Sequence, residues 1–381
     1  MARAVRGEDW LPLLDGLDAV VNCAGSLQTR SARTLRAVHA TGVAALFAAC
    51  ESRKIPRVVH VSAVGVEDGG RSDFSKTKRE GEEALIGRDL DWLILRPSVV
   101  IGRSAYGGSA LLRGLAALPV LPTIPEAGDL QLVQLDDVVE TIALCVRPEG
   151  PKRKVIDLVG PRRYRFDETV KLFRRWLRLR PAASIKLPIW AFVFAAKLGD
   201  LAGYLGWRQP VRTNAMLEIS RGAVGSAAAW TEATGISPRD IETTLAQEPA
   251  SVQERWFSRL YFLKAAVFAV SGCFWLVTGL ISLGPGWHYG MGLLREGGLG
   301  ENFAVLTLIA GAIADILIGL AILWRPTSRY GLYAALAISV TYAIIGTILV
   351  PRLWIDPLGP MLKIWPVLML NLVALAILDD R

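Results

Sequence analysis

The sequence predicts a parallel α/β domain followed by an all-α bundle of membrane-spanning helices. Short apolar runs alternate with helical patterns through the first part of the chain, an order typical of a parallel sheet covered by helices. Four long apolar runs follow after residue 260. The mean hydropathy of +0.36 is too high for a purely soluble protein, and these runs account for the excess. We therefore expect a soluble front and a membrane-embedded back.

Length and composition set the outer limits of this prediction. The 381 residues leave room for two domains, which we place at 1–250 and 251–381. Four cysteines show no paired spacing, which argues against a disulfide framework or a zinc site: Cys23, Cys50, Cys145 and Cys273. We predict no metal site. The first residues contain no apolar segment of the kind that a signal peptide requires.

The elements of the first domain follow from hydrophobic periodicity. A short helix is predicted in residues 1–17, and buried strands are predicted at 18–23, 58–61, 91–95, 130–134 and 154–159. Helices are predicted at 33–52, from Phe74 onward, at 137–146 with Asp136 as its N-cap, and at 167–179. His39 and His60 fit a packing role in this pattern. Residues 103–129 are interpreted as a loop region on the substrate side, and 208–255 as a connection.

One stretch carries the chemistry of the first domain. The strand at 58–61 runs into Ser62, and the next helix carries Phe74 and Lys78 one turn apart, so both side chains lie on one face. This resembles the active-site region of the short-chain dehydrogenases/reductases, in which a Ser is followed by a Tyr-x-x-x-Lys pair. Here Phe74 stands where the family has its Tyr, and it carries no ionisable hydrogen. Ser75 points about 100° away on a helix.

Further segments strengthen this resemblance. The sequence VVNCAG, with Asn22, Ala24 and Gly25, is similar to the Asn-x-Ala-Gly turn of the family. Arg96-Pro97-Ser98 after the third strand, and LVQLDDVVETI later, resemble elements of the extended, epimerase-like members. The resemblance implies a Rossmann-like fold that binds NAD(P). It implies catalytic roles for Ser62 and Lys78, and it implies that the cofactor contacts a larger set: Asn22, Ala24, Gly25, Ser62, Lys78, Arg96, Pro97 and Ser98.

The glycine-rich turn that holds the pyrophosphate in this family is absent before VVNCAG. The chain therefore resembles an N-terminally truncated member, and cofactor binding in the given chain is in question. We expect a start codon assigned too late rather than a true half-fold, because a sheet without its central first strand would expose two long edges.

A basic segment covers residues 151–186, and an apolar segment that is interrupted by Lys197 and Asp200 covers 186–207. The basic segment could bind nucleic acid, but no nucleic-acid fold accompanies it. We predict attraction to anionic lipid head groups instead. The apolar segment is predicted to be an interfacial helix within a membrane-facing substrate lobe at 151–250.

Four spans are predicted near residues 261–283, 302–324, 329–350 and 362–378. Basic residues before the first span and in the second loop predict that the soluble domain and both termini face the cytoplasm: Arg255, Arg259, Lys264, Arg325 and Arg329. Asp315 is the one acid deep in a span. It predicts either a proton- or quinone-linked site or a polar contact between helices, with Asn371 and Thr278 as partners.

The four-span block resembles the DoxX-like membrane domains, and the front half also resembles the reductase-like accessory subunit of respiratory complex I. Two functions follow as hypotheses. The first is a membrane-anchored NAD(P)-binding oxidoreductase or epimerase that works without the usual Tyr. The second is a non-catalytic nucleotide-sensing or assembly module of a membrane complex. The sequence does not specify the small-molecule substrate.

Overall fold

The computed structural model of the protein describes residues 4–27, 29, 31–67, 70–207 and 211–379. The chain divides into two compact units. The N-terminal unit consists of Met1–Tyr204 with Arg208–Arg259, and the C-terminal unit consists of Leu205–Trp207 with Leu260–Arg381.

A four-stranded parallel sheet forms the centre of the N-terminal unit. Its strands lie in the order β1, β2, β3, β7, with bounds Ala19–Asn22, Arg57–Val61, Asp91–Pro97 and Lys154–Leu158. The strands are short and rich in Val, Ile and Leu, as is typical of a parallel sheet buried on both faces. Two smaller parallel pairs join β4 (Val100–Ile101) to β6 (Val133–Gln134) and β5 (Leu121–Thr123) to β8 (Ser184–Lys186). The predicted parallel α/β class is confirmed.

Helices cover both faces of this sheet. On one face, Val58 and Ile94 pack in a cluster with Phe47. On the other face, Val59 and Leu93 pack with Trp230. The helices of this unit are α1 (Ala32–Arg36), α2 (Gly42–Ser52), α3 (Asp73–Ile86), α4 (Gly107–Ala116), α5 (Leu135–Cys145), α6 (Phe166–Trp176), α7 (Ile189–Tyr204), α8 (Thr213–Arg221), α9 (Ala228–Thr234) and α10 (Ile241–Gln247). A π-helical turn at Ala37–Thr41 joins α1 to α2.

Several predicted elements were wrong. Residues 7–13 form two 3₁₀ turns rather than a helix. The strand at 130–134 is reduced to Val133–Gln134, because Leu130 pairs instead with Tyr164 and Ala223. Asp136 does not cap α5, since the helix already begins at Leu135 after an N-cap at Gln134.

Two regions interpreted as loops contain helices. Residues 103–129 hold α4 and β5, and the presumed connection at 208–255 holds α8, α9 and α10 of the N-terminal unit. Both regions contain many small or polar residues, so their helical pattern is weak. Their apolar positions are fixed by tertiary packing, as the burial of Trp230 in α9 illustrates.

The C-terminal unit is helical. Its helices are α11 (Val252–Leu283), whose first residues lie in the N-terminal unit, α12 (Trp287–Glu296), α13 (Glu301–Leu323), α14 (Ser328–Leu349) and α15 (Ile364–Ala376). Within the described residues, α11, α13 and α14 are long and apolar enough to cross a membrane. The predicted fourth span is the 13-residue helix α15, which is shorter than a bilayer-crossing helix needs.

Small residues bring the membrane helices close together. A Cβ on Gly319 in α13 would lie 2.5 Å from the backbone nitrogen of Leu276 in α11. A Cβ on Gly272 would lie 2.6 Å from the Leu323 side chain. Helix pairs in lipid gain mainly from close packing, which explains glycine at both positions.

Candidate active site

The carboxyl ends of three neighbouring strands bring together residues that the sequence placed far apart. Asn22 ends β1, Ser62 follows β2 and Pro97 ends β3. The strand register pairs Asn22 with His60 and Val61 with Leu95, so these ends lie side by side. The crevice outside the carboxyl ends of parallel strands is the usual ligand site of open α/β sheets.

The amine of Lys78 lies at the centre of this group. Its side chain is 4% exposed, and its Nζ donates a hydrogen bond to the carbonyl oxygen of Val61 at 2.8 Å. A Cβ on Gly25 would lie 3.3 Å from the same nitrogen. Glycine thus lets the turn after β1 pass close over the lysine. Lys78 therefore links α3, the end of β2 and the turn after β1.

Burial lowers the pKa of Lys78 to about 8, because an ammonium group loses its hydration in this environment. Glu82 and Cys23 act in the opposite direction. The amine is therefore mostly charged at pH 7, and it loses its proton within reach of neutral pH. Such a group can both bind a polar ligand and transfer a proton.

Ser62 offers an unsatisfied hydroxyl directly after β2, the strand whose last carbonyl accepts from Lys78. Its Oγ is buried and has no hydrogen-bond partner among the described residues. The Ser62 backbone nitrogen is already used, since it donates to Leu95 at 2.7 Å. Buried hydroxyls in folded proteins are nearly always paired, so an orphan at a strand end points to a missing partner such as a bound ligand.

Phe74 packs edge-to-face on His39, with ring centroids 5.4 Å apart. It offers no proton. The neighbouring Ser75 does not replace it, because its hydroxyl donates to Glu218 in α8 at 2.7 Å. Glu218 also accepts from Ser72 and pairs with Arg221, which fixes the start of α3.

His39 holds the turn after β1 against α3. It lies in the π-helical turn between α1 and α2, and such turns are frequent at functional sites. Its Nε2 accepts from the Ser26 amide at 3.0 Å, so its Nδ1 carries the hydrogen and donates to Thr77 Oγ1 at 3.0 Å. Burial, with a smaller contribution from Lys78, lowers the pKa of His39 to about 3.

His60 on β2 also helps to hold the turn after β1, through its hydrogen bond with Asn22. Asn22 donates from its side-chain nitrogen to His60 Nδ1 at 2.9 Å and accepts from the Ala24 amide at 3.1 Å. His60 Nε2 then carries the hydrogen and has no partner among the described residues. Burial keeps the pKa of His60 well below its usual value. Asn22 and Ala24 thus shape the turn over Lys78.

The predicted cofactor residues of the third strand have structural partners. Arg96 pairs with Glu82 through two hydrogen bonds of 2.9 and 2.6 Å, and it also pairs with Glu67 at 2.9 Å. The hydroxyl of Ser98 donates to the Ala223 carbonyl at 3.1 Å. Pro97 accepts the Val64 amide through its carbonyl. These residues brace the edges of the site.

His39, Glu82 and Glu218 were missed as members of this neighbourhood. His39 was interpreted as a packing residue, and its two hydrogen bonds are consistent with that. A signal was nevertheless present, because an imidazole on a core-facing helix stripe needs polar partners. Glu82 lies four residues after Lys78 on the same helix face, which predicts proximity. Nothing in the local sequence indicates Glu218, which lies 140 residues beyond Lys78.

Asp315 has a different partner from those predicted. It is 3% exposed in α13, and the hydroxyl of Tyr342 in α14 donates to it at 3.0 Å. Asn371 accepts instead from Ser271 at 2.7 Å, and Thr278 donates to its own helix. The predicted pairing with Asn371 or Thr278 was therefore wrong. The observed contact joins two apolar helices.

The basic segment at 151–186 is partly neutralised by acids from outside it. Lys152 pairs with Asp91 at 2.7 Å and Arg153 with Asp89 at 2.6 Å. Arg174 donates to three backbone carbonyls. Much of this charge therefore has a structural use within the N-terminal unit.

Two family models match the chain. The NAD(P)H-binding family matches residues 5–113, and the DoxX-like family matches residues 272–372. The chain joins an NAD(P)H-binding domain to a DoxX-like domain. The predicted fusion of an NAD(P)-binding domain to a DoxX-like membrane domain is confirmed.

A curated relative is the ceramide reductase of Caulobacter vibrioides, 25% identical over 137 residues, which is 36% of this chain and 43% of the relative. The chain thus spans less than half of that relative's length. Similar solved structures include the Bordetella bronchiseptica enzyme WbmG in complex with NAD and UDP, with 13% identity, 64% and 76% coverage of the two chains and a TM-score of 0.49. Another is RMD from Pseudomonas aeruginosa complexed with NADPH, with 16% identity, 67% and 87% coverage and a TM-score of 0.49.

The residues at these strand ends offer polar groups to a sugar-bearing ligand. Lys78 offers a buried cationic donor, and Ser62 offers an orphan hydroxyl at the same strand end. Gly25 leaves space for close approach above the lysine, because a Cβ there would crowd Nζ. Donors buried beside a side-chain-free turn are the features that a sugar-bearing ligand needs.

Proposed function

We propose that this chain is a membrane-anchored, NAD(P)-dependent oxidoreductase that acts on a carbonyl group of a lipid. The burial of the Lys78 amine at the strand ends, under the turn at Gly25, carries this proposal. The NAD(P)H-binding family supports the cofactor class, and the three apolar helices support a membrane location. The name of the Caulobacter relative supports a lipid as the substrate class.

In this proposal Lys78 and Ser62 are the catalytic residues. The nicotinamide, when bound, supplies the hydride that reaches the carbonyl carbon. Ser62 orients the carbonyl oxygen through its free hydroxyl. Lys78 supplies the proton that this oxygen takes up, because Phe74 cannot. A lysine with a pKa of about 8 can donate a proton at neutral pH, which is the requirement for a general acid.

Dinucleotide binding provides the first test. We would measure the Kd of NADH and NADPH on the full chain in nanodiscs, together with Lys78→Met, Ser62→Ala and the control Lys76→Met, which changes an exposed lysine of the same helix. Loss of a hydrogen bond to a charged group predicts about 10- to 100-fold weaker binding for Lys78→Met. Lys76→Met should bind like the wild type. No affinity for either dinucleotide would end the proposal.

A second function is favoured by Phe74. A dinucleotide-binding domain without its proton-donating Tyr could serve as a nucleotide-sensing or assembly module of a membrane complex. The test is turnover of a keto-lipid by the wild type and by Phe74→Tyr. Oxidation of NAD(P)H by the wild type would support the enzyme. Binding without turnover in the wild type, with turnover gained in Phe74→Tyr, would support the module.

We further propose that the N-terminal unit and both termini face the cytoplasm at the bacterial inner membrane. Arg255 and Arg259 lie in the first turns of α11, Arg325 lies between α13 and α14, and Arg329 is the second residue of α14. An excess of basic residues marks the cytoplasmic side. Labelling of a cysteine placed at Thr327 should therefore occur in inverted vesicles and not in intact cells.

A further inference from the structure

Helix α7 presents its large apolar side chains to the outside of the N-terminal unit. Its buried face consists mostly of small residues: Phe192, Ala196, Gly199 and Gly203. Its exposed positions are filled by much larger ones: Ile189, Trp190, Phe194, Leu198, Leu201 and Tyr204, each between 48% and 78% exposed. A helix of a soluble protein places its apolar stripe toward the core. In α7 this arrangement is inverted.

Close packing fixes α7 in this orientation. A Cβ on Gly199 would lie 1.9 Å from the carbonyl oxygen of Val211, and a Cβ on Gly203 would lie 2.7 Å from the guanidinium of Arg212. Asp200 pairs with Arg212 at 3.1 Å and accepts from Thr213. Rotation of α7 to bury its large side chains would break all of these contacts. The exposed apolar face is therefore built into the fold.

Basic residues accompany this face. Lys186 lies three residues before α7, and Lys197 lies on its exposed side. Neither lysine makes an ion pair among the residues that the structure describes. Asp200, the acidic residue of α7, forms an ion pair with Arg212. The surface therefore combines apolar side chains with free positive charge, which matches a layer of anionic head groups above acyl chains.

The residues directly after α7, Leu205–Trp207, belong to the C-terminal unit. Trp207 donates from its indole nitrogen to the carbonyl of Leu323 at 2.7 Å, and the Arg325 amide donates to Leu205 at 3.0 Å. Leu323 is the last residue of the candidate span α13. The end of a span lies at the head-group region of a bilayer. Only one peptide bond joins Tyr204 to this segment.

We propose that α7 binds the surface of the lipid bilayer, with its large apolar side chains among the upper acyl chains and Lys186 and Lys197 at anionic head groups. With 16 residues and two charges, α7 is too short and too polar to cross the membrane. This proposal goes beyond the proposed activity and does not depend on it.

Photo-crosslinking on the full chain tests the proposal. A diazirine amino acid would replace Leu198, which is 51% exposed, and Ile86 as the matched control, which is 47% exposed at the end of α3. The protein would be reconstituted in nanodiscs of phosphatidylcholine and phosphatidylglycerol. We expect the yield of lipid adducts at position 198 to exceed the yield at 86 several-fold. Equal yields at the two positions would overturn the proposal.

The charge contribution is tested separately. The double variant Lys186→Gln, Lys197→Gln would be made in the protein that carries the diazirine at position 198. Its yield of lipid adducts should fall in nanodiscs that contain phosphatidylglycerol and stay unchanged in pure phosphatidylcholine nanodiscs. The same diazirine should give lipid adducts in native membranes. Adducts there with a protein, either a second copy or another subunit, in place of lipid would show that the face is a protein interface and would overturn the proposal.

Discussion

Two neutral histidines and one lysine determine how the turn after β1 is held. His39 binds the Ser26 amide, His60 binds Asn22, and Lys78 lies below Gly25. All three side chains are buried, and each is more easily deprotonated than in water because burial disfavours its charged form. The geometry of the site therefore depends on protonation at single residues.

Lys78 predicts the pH dependence of dinucleotide binding. Its ammonium form attracts the anionic ligand, and this form disappears as the pH rises through about 8. We expect the affinity for NADH to fall about tenfold for each pH unit above that value. Titration of the Kd from pH 6 to 10 measures this. Lys78→Met should bind weakly with no such dependence, and a flat profile in the wild type would contradict the assignment.

His39 predicts a loss of stability in acid. Its pKa is about 3 in the folded protein and about 6.5 when unfolded, so below pH 6.5 the unfolded chain binds a proton that the folded chain does not. The contribution of His39 to the free energy of unfolding should fall by about 1.4 kcal/mol per pH unit between 6.5 and 3. Urea unfolding followed by fluorescence would show this. His39→Gln, which does not titrate there, should be less sensitive to acid than the wild type.

At the scale of elements, α3 is fastened at its start by Glu218 and along its length by the pair of Glu82 and Arg96. Glu82 is 1% exposed, and Arg96 also forms an ion pair with Glu67. Arg96 lies near Asp157, and burial is the main reason that the pKa of Asp157 is raised. One guanidinium thus compensates several carboxylates. Gly81 allows the close approach of this helix, since a Cβ there would lie 2.3 Å from the His39 carbonyl oxygen.

The shared arginine predicts unequal effects of mutation. Arg96→Met leaves buried Glu82 without its partner and should destabilise the N-terminal unit by about 3–5 kcal/mol. Glu82→Leu leaves Arg96 with Glu67 and should cost less. The double variant should recover much of the loss in Arg96→Met. Thermal unfolding of the three variants measures this, and additive losses in the double variant would argue against coupling.

The sequence predicted these elements unevenly for physical reasons. The strands of the main sheet and α3 follow from local patterns, as do Asn22 and Ser62 at strand ends and Lys78 on α3. The helices α8 to α10 and the contacts of Glu218 and Arg96 depend on packing between segments far apart in sequence. The predicted partners of Asp315 were wrong for the same reason. The rotation of a helix in the membrane is set by the neighbouring helices.

At the scale of the whole molecule, each unit contains a buried polar contact. In the N-terminal unit this contact joins Glu82 and Arg96. In the C-terminal unit it joins Tyr342 and Asp315. Tyr342→Phe should lower the thermal stability of the C-terminal unit by about 1 kcal/mol, as is typical of hydrogen bonds between membrane helices. Tyr330→Phe, on the exposed side of the same helix, should have no effect. The Kd for NADH should be unchanged in both variants, and a changed Kd would reveal a functional link.

The path of the chain between the units has a practical consequence for protein production. Residues Leu205–Trp207 belong to the C-terminal unit, whereas the chain on both sides of them belongs to the N-terminal unit. A fragment ending at residue 259 would therefore carry the indole of Trp207 without Leu323, Phe268 and Arg325, its partners in the intact chain. A fragment ending at residue 204 would lack α8, and with it the Glu218 that holds Ser72 and Ser75. The first fragment leaves Trp207 without its partners, and the second lacks part of the N-terminal unit.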